Sequence, residues 1–195
     1  MPRPIARDHG EKRDRILSQA ARVFAKDGYD RASMAQVAKA CGISKAAIYH
    51  YHASKEDLLF DILDTHLRGL RDRLDNLPEA SQPRVRLSNI ISEILTAYEG
   101  ADDAHRLQMG SFEVLPTHRQ IELKNLQKDI VQRMARTIAD LSHRLMEDPS
   151  AQRRTAMAVF GMLNWYFMWG GPSAADRTAY AETVTTLTLD GLSGL

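Results

Sequence analysis

Apolar residues recur at intervals of three and four along nearly the whole chain, while the strict alternation of a half-buried strand is absent, so the pattern predicts an all-α fold. The first periodic segment covers about 12–26, with Ile16, Leu17, Ala20, Ala21 and Phe24 on one face and Asp27-Gly28 as its stop. A second opens at Ser33, where Gln36 three residues later completes a capping-box pattern, and closes near Cys41-Gly42. Ser44 is placed to cap a short third helix over about 45–51. From Ser54 a long fourth helix runs to about residue 77, with Asp57 in its first turn and Leu59, Ile62, Leu63, His66, Leu67, Leu70 and Leu74 as its inner stripe. Further helices are expected at about 85–99, 103–115, 119–147, 151–169 and 174–192, punctuated by Pro83, Gly100, Pro116, Pro149 and Gly170-Gly171-Pro172. The pattern thus predicts about nine helices.

The second and third helices are joined by only Cys41-Gly42-Ile43, and Gly42 stands where a sharp turn needs a residue that tolerates positive φ. Ala35, Val37, Ala38, Ile43 and Ile48 are small or apolar at the internal positions, which lets the two helices cross closely. This is the spacing of a helix-turn-helix, whose second helix enters the DNA major groove while the first lies across the phosphates.

Charge sharpens that reading. The formal net charge is only +1, yet residues 1–55 carry eleven Lys and Arg against five Asp and Glu, leaving fifteen against twenty for the rest. A basic end gathers phosphate by releasing condensed counterions. Arg3, Arg7, Lys12, Arg13 and Arg15 form a basic N-terminal arm that either reaches along DNA or makes no contact. With 195 residues and about 150 per domain as a guide, the chain divides into a DNA-binding domain over 1–55 and a larger helical domain over 56–195. The 44% hydrophobic content suffices for a core in each.

Other chemistry finds little support. The single Cys41 excludes an internal disulfide framework and a cysteine-only zinc site. There is no Gly-rich phosphate loop after a strand, no nucleophile elbow and no HExxH, and the seven histidines are scattered, so neither enzyme, metal nor cofactor is expected. The N-terminal residues lack the apolar run of a signal peptide, and no segment approaches the ~18 apolar residues of a membrane span, which predicts a cytoplasmic protein with no membrane partner.

The stretch ISKAAIYHYHASKEDLL resembles the signature of TetR-family regulators: a Ser-capped recognition helix with an aromatic-rich end, then Ser-Lys-Glu opening the next helix. Residues 10–59 follow that family's order and spacing, including Phe24, Gly28, Ser33, Ile43, Tyr49 and Lys55. The chain departs from the family pattern at His52, usually an aromatic, and at Ala53, often a proline. The resemblance implies a transcriptional repressor on a palindromic double-stranded DNA operator, with an N-terminal three-helix bundle and a C-terminal ligand-binding and dimerisation domain. It implies phosphate contacts from Ser33, Ser44, Tyr49, His50 and Lys55, and base contacts from Lys45, Ala46 and Ala47. Lys45 can donate to guanine, and an alanine can pack on a thymine methyl. Ser33 and Ser44 fit a helix cap equally well, Tyr49 a core aromatic, and Lys55 a solvated surface cation.

The resemblance also implies a homodimer through the last two helices. The run FGMLNWYFMW is apolar on more than one face, as a helix buried against both its own core and a twin would be. Residues 115–141 together with that run further resemble acyl-coenzyme A sensing members of the family. A phenylacetyl-type acyl group would then lie near Tyr98, Met109, Phe112, Leu163 and Phe167, with Arg119 at the mouth for the anionic coenzyme, helped by Arg106, His118, Lys124 or Arg133. An uncharged hydrophobic effector, as in efflux or stress regulators, and a ligand-independent DNA-binding protein are the alternatives.

Overall fold

The computed structural model describes residues 5–171 and 173–193, with side chains for 10–171 and 173–192. Arg3 and Pro172 lie outside the described residues, as does the side chain of Arg7. The described residues form ten α-helices: α1 (Ile5–Asp27), α2 (Met34–Cys41), α3 (Lys45–Tyr51), α4 (Lys55–Asp75), α5 (Pro83–Ala97), α6 (Asp102–Gly110), α7 (Thr117–Ala139), α8 (His143–Met146), α9 (Pro149–Trp165) and α10 (Ala174–Ser193). Two short 3-10 turns occupy Phe112–Val114 and Tyr166–Met168. No strand occurs among the described residues, as the periodicity predicts.

The boundaries differ from expectation where local bonding ends a helix early. Instead of one helix over 119–147, α7 stops at Ala139, where Leu141 and Ser142 donate to carbonyls only three residues back. Ser142 is then extended and opens α8. Pro83 and Pro149 each stand at the start of a helix, where the missing N–H costs nothing. The N-terminal segment from Ile5 is helical, a continuation of α1 rather than an extended arm.

Two compact units result: Met1–Leu67 with Gly100–Leu123, and Arg68–Glu99 with Lys124–Leu195. Both α4 and α7 begin in the first unit and end in the second.

In the first unit α1 packs against α2 and α6, and α2 against α3. Its core holds Ile16, Leu17 and Phe24 of α1, Val37 and Ala38 of α2, Ile48 of α3, and Leu58, Leu59, Ile62 and Leu63 of α4. Burial of side chains this size stabilises by about 1.5–3 kcal/mol each. Phe24 meets Tyr29 edge-on at 5.3 Å between ring centres, so the turn after α1 closes over the same core. Ala35 is the exception among the small positions of the helix-turn-helix, since it faces outward.

In the second unit α10 packs against α5 and α9, and α8 against α9. Phe160, Leu163 and Tyr166 point inward, and Tyr166 stacks on Tyr180 at 4.9 Å. The chain tightens into the 3-10 turn after Trp165, and Gly170 donates to the carbonyl of Tyr166 at 2.7 Å. A side chain at Gly170 would collide with the Tyr166 ring, so the close approach requires glycine.

Candidate nucleic-acid interface

The helix-turn-helix begins with two capped helices. Ser33 and Gln36 form the expected capping box: Ser33 Oγ accepts from the Gln36 N–H at 3.3 Å, and Gln36 Oε1 accepts from the Ser33 N–H at 2.8 Å. Gly42 closes α2 at φ 68°, the left-handed conformation that L side chains adopt at a cost. Ser44 Oγ then accepts from the Ala47 N–H at 3.0 Å and starts α3. Both serines are caps and both are exposed; the Ser33 hydroxyl also donates to Gln36 Oε1 at 2.9 Å, so it is the Ser44 hydroxyl whose proton capping leaves open to a second partner.

Ile48 is the single buried residue of α3, completely covered, and it sets which face points out. Lys45, Ala46, Tyr49 and His50 are exposed and Ala47 half-buried. Tyr49 is 45% exposed, which rules out the core-aromatic reading. The seven-residue helix therefore offers one continuous outward face bearing a cation, two methyl groups, a phenol and an imidazole.

Lys55 behaves differently from a free phosphate ligand or a solvated cation. Its Nζ donates to the carbonyls of Tyr29 at 2.8 Å, Ala32 at 3.0 Å and Asp30 at 3.3 Å, and lies 4.3 Å from the centre of the Tyr29 ring. An ammonium group has three protons, and all three are committed. The expected phosphate contact is thus corrected to a structural clasp, which ties the start of α4 to the turn between α1 and α2.

Next to it, Ser54 caps α4 through the Asp57 N–H at 3.0 Å and donates to the Asp57 carboxylate at 2.8 Å. Arg119 of α7 pairs with the same carboxylate and lies over the Phe60 ring at 4.6 Å. The Ser54 hydrogen bond, opposed by burial and reinforced by Arg119, holds the Asp57 carboxyl below the usual range. Arg119 is therefore not an open cation awaiting a coenzyme: its charge is already matched.

The remaining effector candidates divide between the units. In the first, Met109 is well exposed on α6 and Phe112 half-buried on the turn after it. In the second, Leu163 is fully covered, Tyr98 donates to Asn164 Oδ1 at 2.7 Å from a buried position, and Phe167 lies half-buried, edge-on to Trp165 at 6.5 Å. Burial pushes the Tyr98 phenol well above its ordinary range.

A groove of about 360 Å³ in the second unit is lined instead by Arg71, Leu74, Asp75, Asp129, Ile130, Arg133 and Arg136, and Arg133 pairs there with Asp75 at 2.9 Å. In the first unit His66 and His105 meet edge-on at 5.8 Å, and burial, then His105, pulls His66 from 6.5 down to about 4. No cluster of three or more metal-ligating side chains occurs among the described residues. None of their helices is long and apolar enough to cross a membrane.

Spacing gave Ile48 as an internal residue of α3 and left Tyr49 open, and it missed the Lys55 clasp and the Asp57–Arg119 pair. The Ser54-x-x-Asp57 spacing is visible in the chain; its partner from α7 lies 62 residues away.

The profile of bacterial regulatory proteins of the tetR family matches residues 16–62, and that of the tetracyclin repressor-like C-terminal domain matches 80–192. The chain belongs to the TetR family. A crystal structure of a TetR-family transcriptional regulator from Bordetella parapertussis 12822 is 30% identical with a TM-score of 0.85, over 94% of this chain and 96% of that one. AibR, in a crystal structure with isovaleryl coenzyme A and operator DNA, shares the TetR fold at 21% identity and a TM-score of 0.76, over 90% and 97% of the two chains. HbdR, an HTH-type transcriptional regulator from Aromatoleum sp. (strain CIB), is 27% identical over 119 residues, 59% of this TetR-family chain. The chain spans 51% of HbdR and about a quarter of two further curated relatives.

Proposed function

We propose that this TetR-family chain is a DNA-binding transcriptional repressor that leaves a palindromic operator when a small hydrophobic effector binds. The observation that carries the DNA reading is the exposed face of α3: Lys45, Ala46, Tyr49 and His50 stand outward on a helix whose one buried residue is Ile48. Lys45, Ala46 and Ala47 read base edges; Ser33, Ser44, Tyr49 and His50 contact phosphates. Residues 1–55 serve as the reading domain and 56–195 as the sensing and dimerisation domain. Two copies pair through α9 and α10, which leave Trp165 and Leu187 exposed in the single chain, continued by Met168 and Trp169 after α9. Such a pair presents two reading helices to two half-sites. The location that fits this task is the cytoplasm.

Release requires an effector that prefers one conformation, because equal affinity for both shifts nothing. α4 is one continuous helix shared by both compact units, which suits a lever whose first turn adjoins the reading head. An acyl-coenzyme A thioester of the phenylacetyl type is the first candidate effector, supported by the fold shared with AibR. The match of Arg119 to Asp57 favours a second reading, an uncharged hydrophobic effector, since it removes a cation on which the coenzyme reading relies.

The test is a gel-shift titration on the DNA upstream of the chain's own gene, repeated with phenylacetyl-coenzyme A, longer acyl thioesters and the free acids. Release by one thioester alone identifies the effector class. Tight binding undisturbed by any of them keeps the repressor and removes the thioester, and absence of sequence-preferring binding removes the repressor.

A further inference from the structure

We infer that His52 is the positioning residue of the reading helix: its grip on Asp61 fixes the end of α3, which packs on α2, to α4 and through Arg13 to α1, and so sets how Lys45 to His50 are presented. The inference rests on the DNA-binding reading of α3 proposed above.

A helix of seven residues cannot hold its own orientation, because helices this short are marginal without tertiary packing. Ile48 is the only fully buried residue within α3, with Ala47 and Tyr51 half-buried, so few covered side chains fix the roll of the helix on α2. A further anchor lies one residue past the end. The His52 N–H donates to the Ile48 carbonyl at 3.0 Å, closing the last turn, and the imidazole beneath it is 1% exposed.

His52 Nδ1 stands 3.2 Å from Asp61 Oδ2 of α4, and the same oxygen accepts from Arg13 Nη2 of α1 at 2.8 Å. One carboxylate oxygen therefore joins the end of the reading helix to both helices beneath it. Burial would push the Asp61 carboxyl up, but the bonds from His52 and Arg13 hold it below the usual range, so it is charged at neutral pH. A carboxylate only accepts, which places the proton on Nδ1. Nε2 is buried with no hydrogen-bond partner among the described residues, so Nδ1 is the ring's one hydrogen-bonding handle on its surroundings. An apolar ring at this position would fill the space without specifying direction; a charge-assisted bond specifies both.

An ordinary buried polar pair would influence stability and leave operator preference alone. The test therefore measures thermal unfolding together with affinity for operator and for unrelated DNA, in the full chain, for His52→Phe, His52→Asn, Asp61→Asn and the Phe/Asn double variant. We expect His52→Phe to remain folded and lose about tenfold of its operator preference, within the coupling range of contacting residues. His52→Asn, whose amide nitrogen can occupy the place of Nδ1, should recover it. The double variant should be no worse than His52→Phe. Equal preference in the Phe and Asn variants, or additive losses in the double variant, overturns the inference.

Amide exchange at His52 separates this failure from failure of the DNA reading. His52→Phe and Asp61→Asn should speed exchange at residue 52 while His52→Asn keeps it slow, even in the absence of DNA. Unchanged protection in all variants overturns the grip itself; wild-type chain without operator preference overturns the repressor.

Discussion

Lys55 donates to the carbonyl of Tyr29 at 2.8 Å while its ammonium lies 4.3 Å from the centre of that residue's ring, so one side chain clamps both halves of Tyr29. Burial, followed by the charges of Glu56 and Asp30, raises the Tyr29 phenol to about 12. Tyr29 stays neutral in any ordinary buffer and serves as the cation's platform.

Replacing Lys55 with methionine keeps much of the stem and removes the donor from three carbonyls. Bonds to charged groups are worth about 1.5–3 kcal/mol, so stability should fall by roughly 1–3 kcal/mol and operator affinity with it. Urea unfolding checks the first expectation. Weaker DNA binding with unchanged stability would return Lys55 to the role of a phosphate ligand.

His66 gives the chain a pH dependence whose sign is set by its depressed value. The unfolded imidazole takes a proton near 6.5, whereas the folded one, largely desolvated beside the buried His105, resists until about 4. Its contribution to stability is complete above 6.5 and is lost as pH falls towards 4, about 3 kcal/mol over the full interval. Denaturant unfolding at pH 7.0, 5.5 and 4.5 should show that loss, and His66→Gln should flatten the profile between 6.5 and 4.5. A profile unaltered by the substitution would show that His66 does not carry it.

Gly42→Ala tests the turn by itself. Its φ is 68°, and an added Cβ meets nothing within 4 Å, so the cost is conformational alone, about 1 kcal/mol. Asn, which tolerates this conformation better, should cost less. An alanine variant as stable as the wild type would mean that the turn relaxes away from the left-handed region.

Leu187→Arg on α10, or Trp169→Arg after α9, places a cation on the exposed apolar face proposed to pair two copies. Sedimentation velocity should show the wild type at twice the chain mass and each variant as a monomer. A variant that remains dimeric moves the interface elsewhere.

The sequence by itself determined most of the helices and the caps of α2 and α3, though not the break that separates α7 from α8. These depend on neighbours within four residues: the Ser33/Gln36 box, the Ser44 cap, the glycine at 42 and the three-and-four spacing of apolar side chains. Much of the interior of α4 could be read in advance, because helical periodicity assigns each residue a face, although Leu58 proves fully covered and His66 only half-buried. What the tertiary structure decided were the partners of the charged groups. Lys55 looks like a phosphate ligand in the chain and proves to be a clasp on carbonyls some 23 to 26 residues earlier. Arg119 looks like an open cation and is matched by Asp57, 62 residues away; His52 looks like a local departure and meets Asp61 and, through it, Arg13 of α1. A surface cation has no periodicity to reveal its partner, because electrostatic and hydrogen-bonding energy depends on distance in space, and only the packed helices bring such groups within hydrogen-bonding distance of one another.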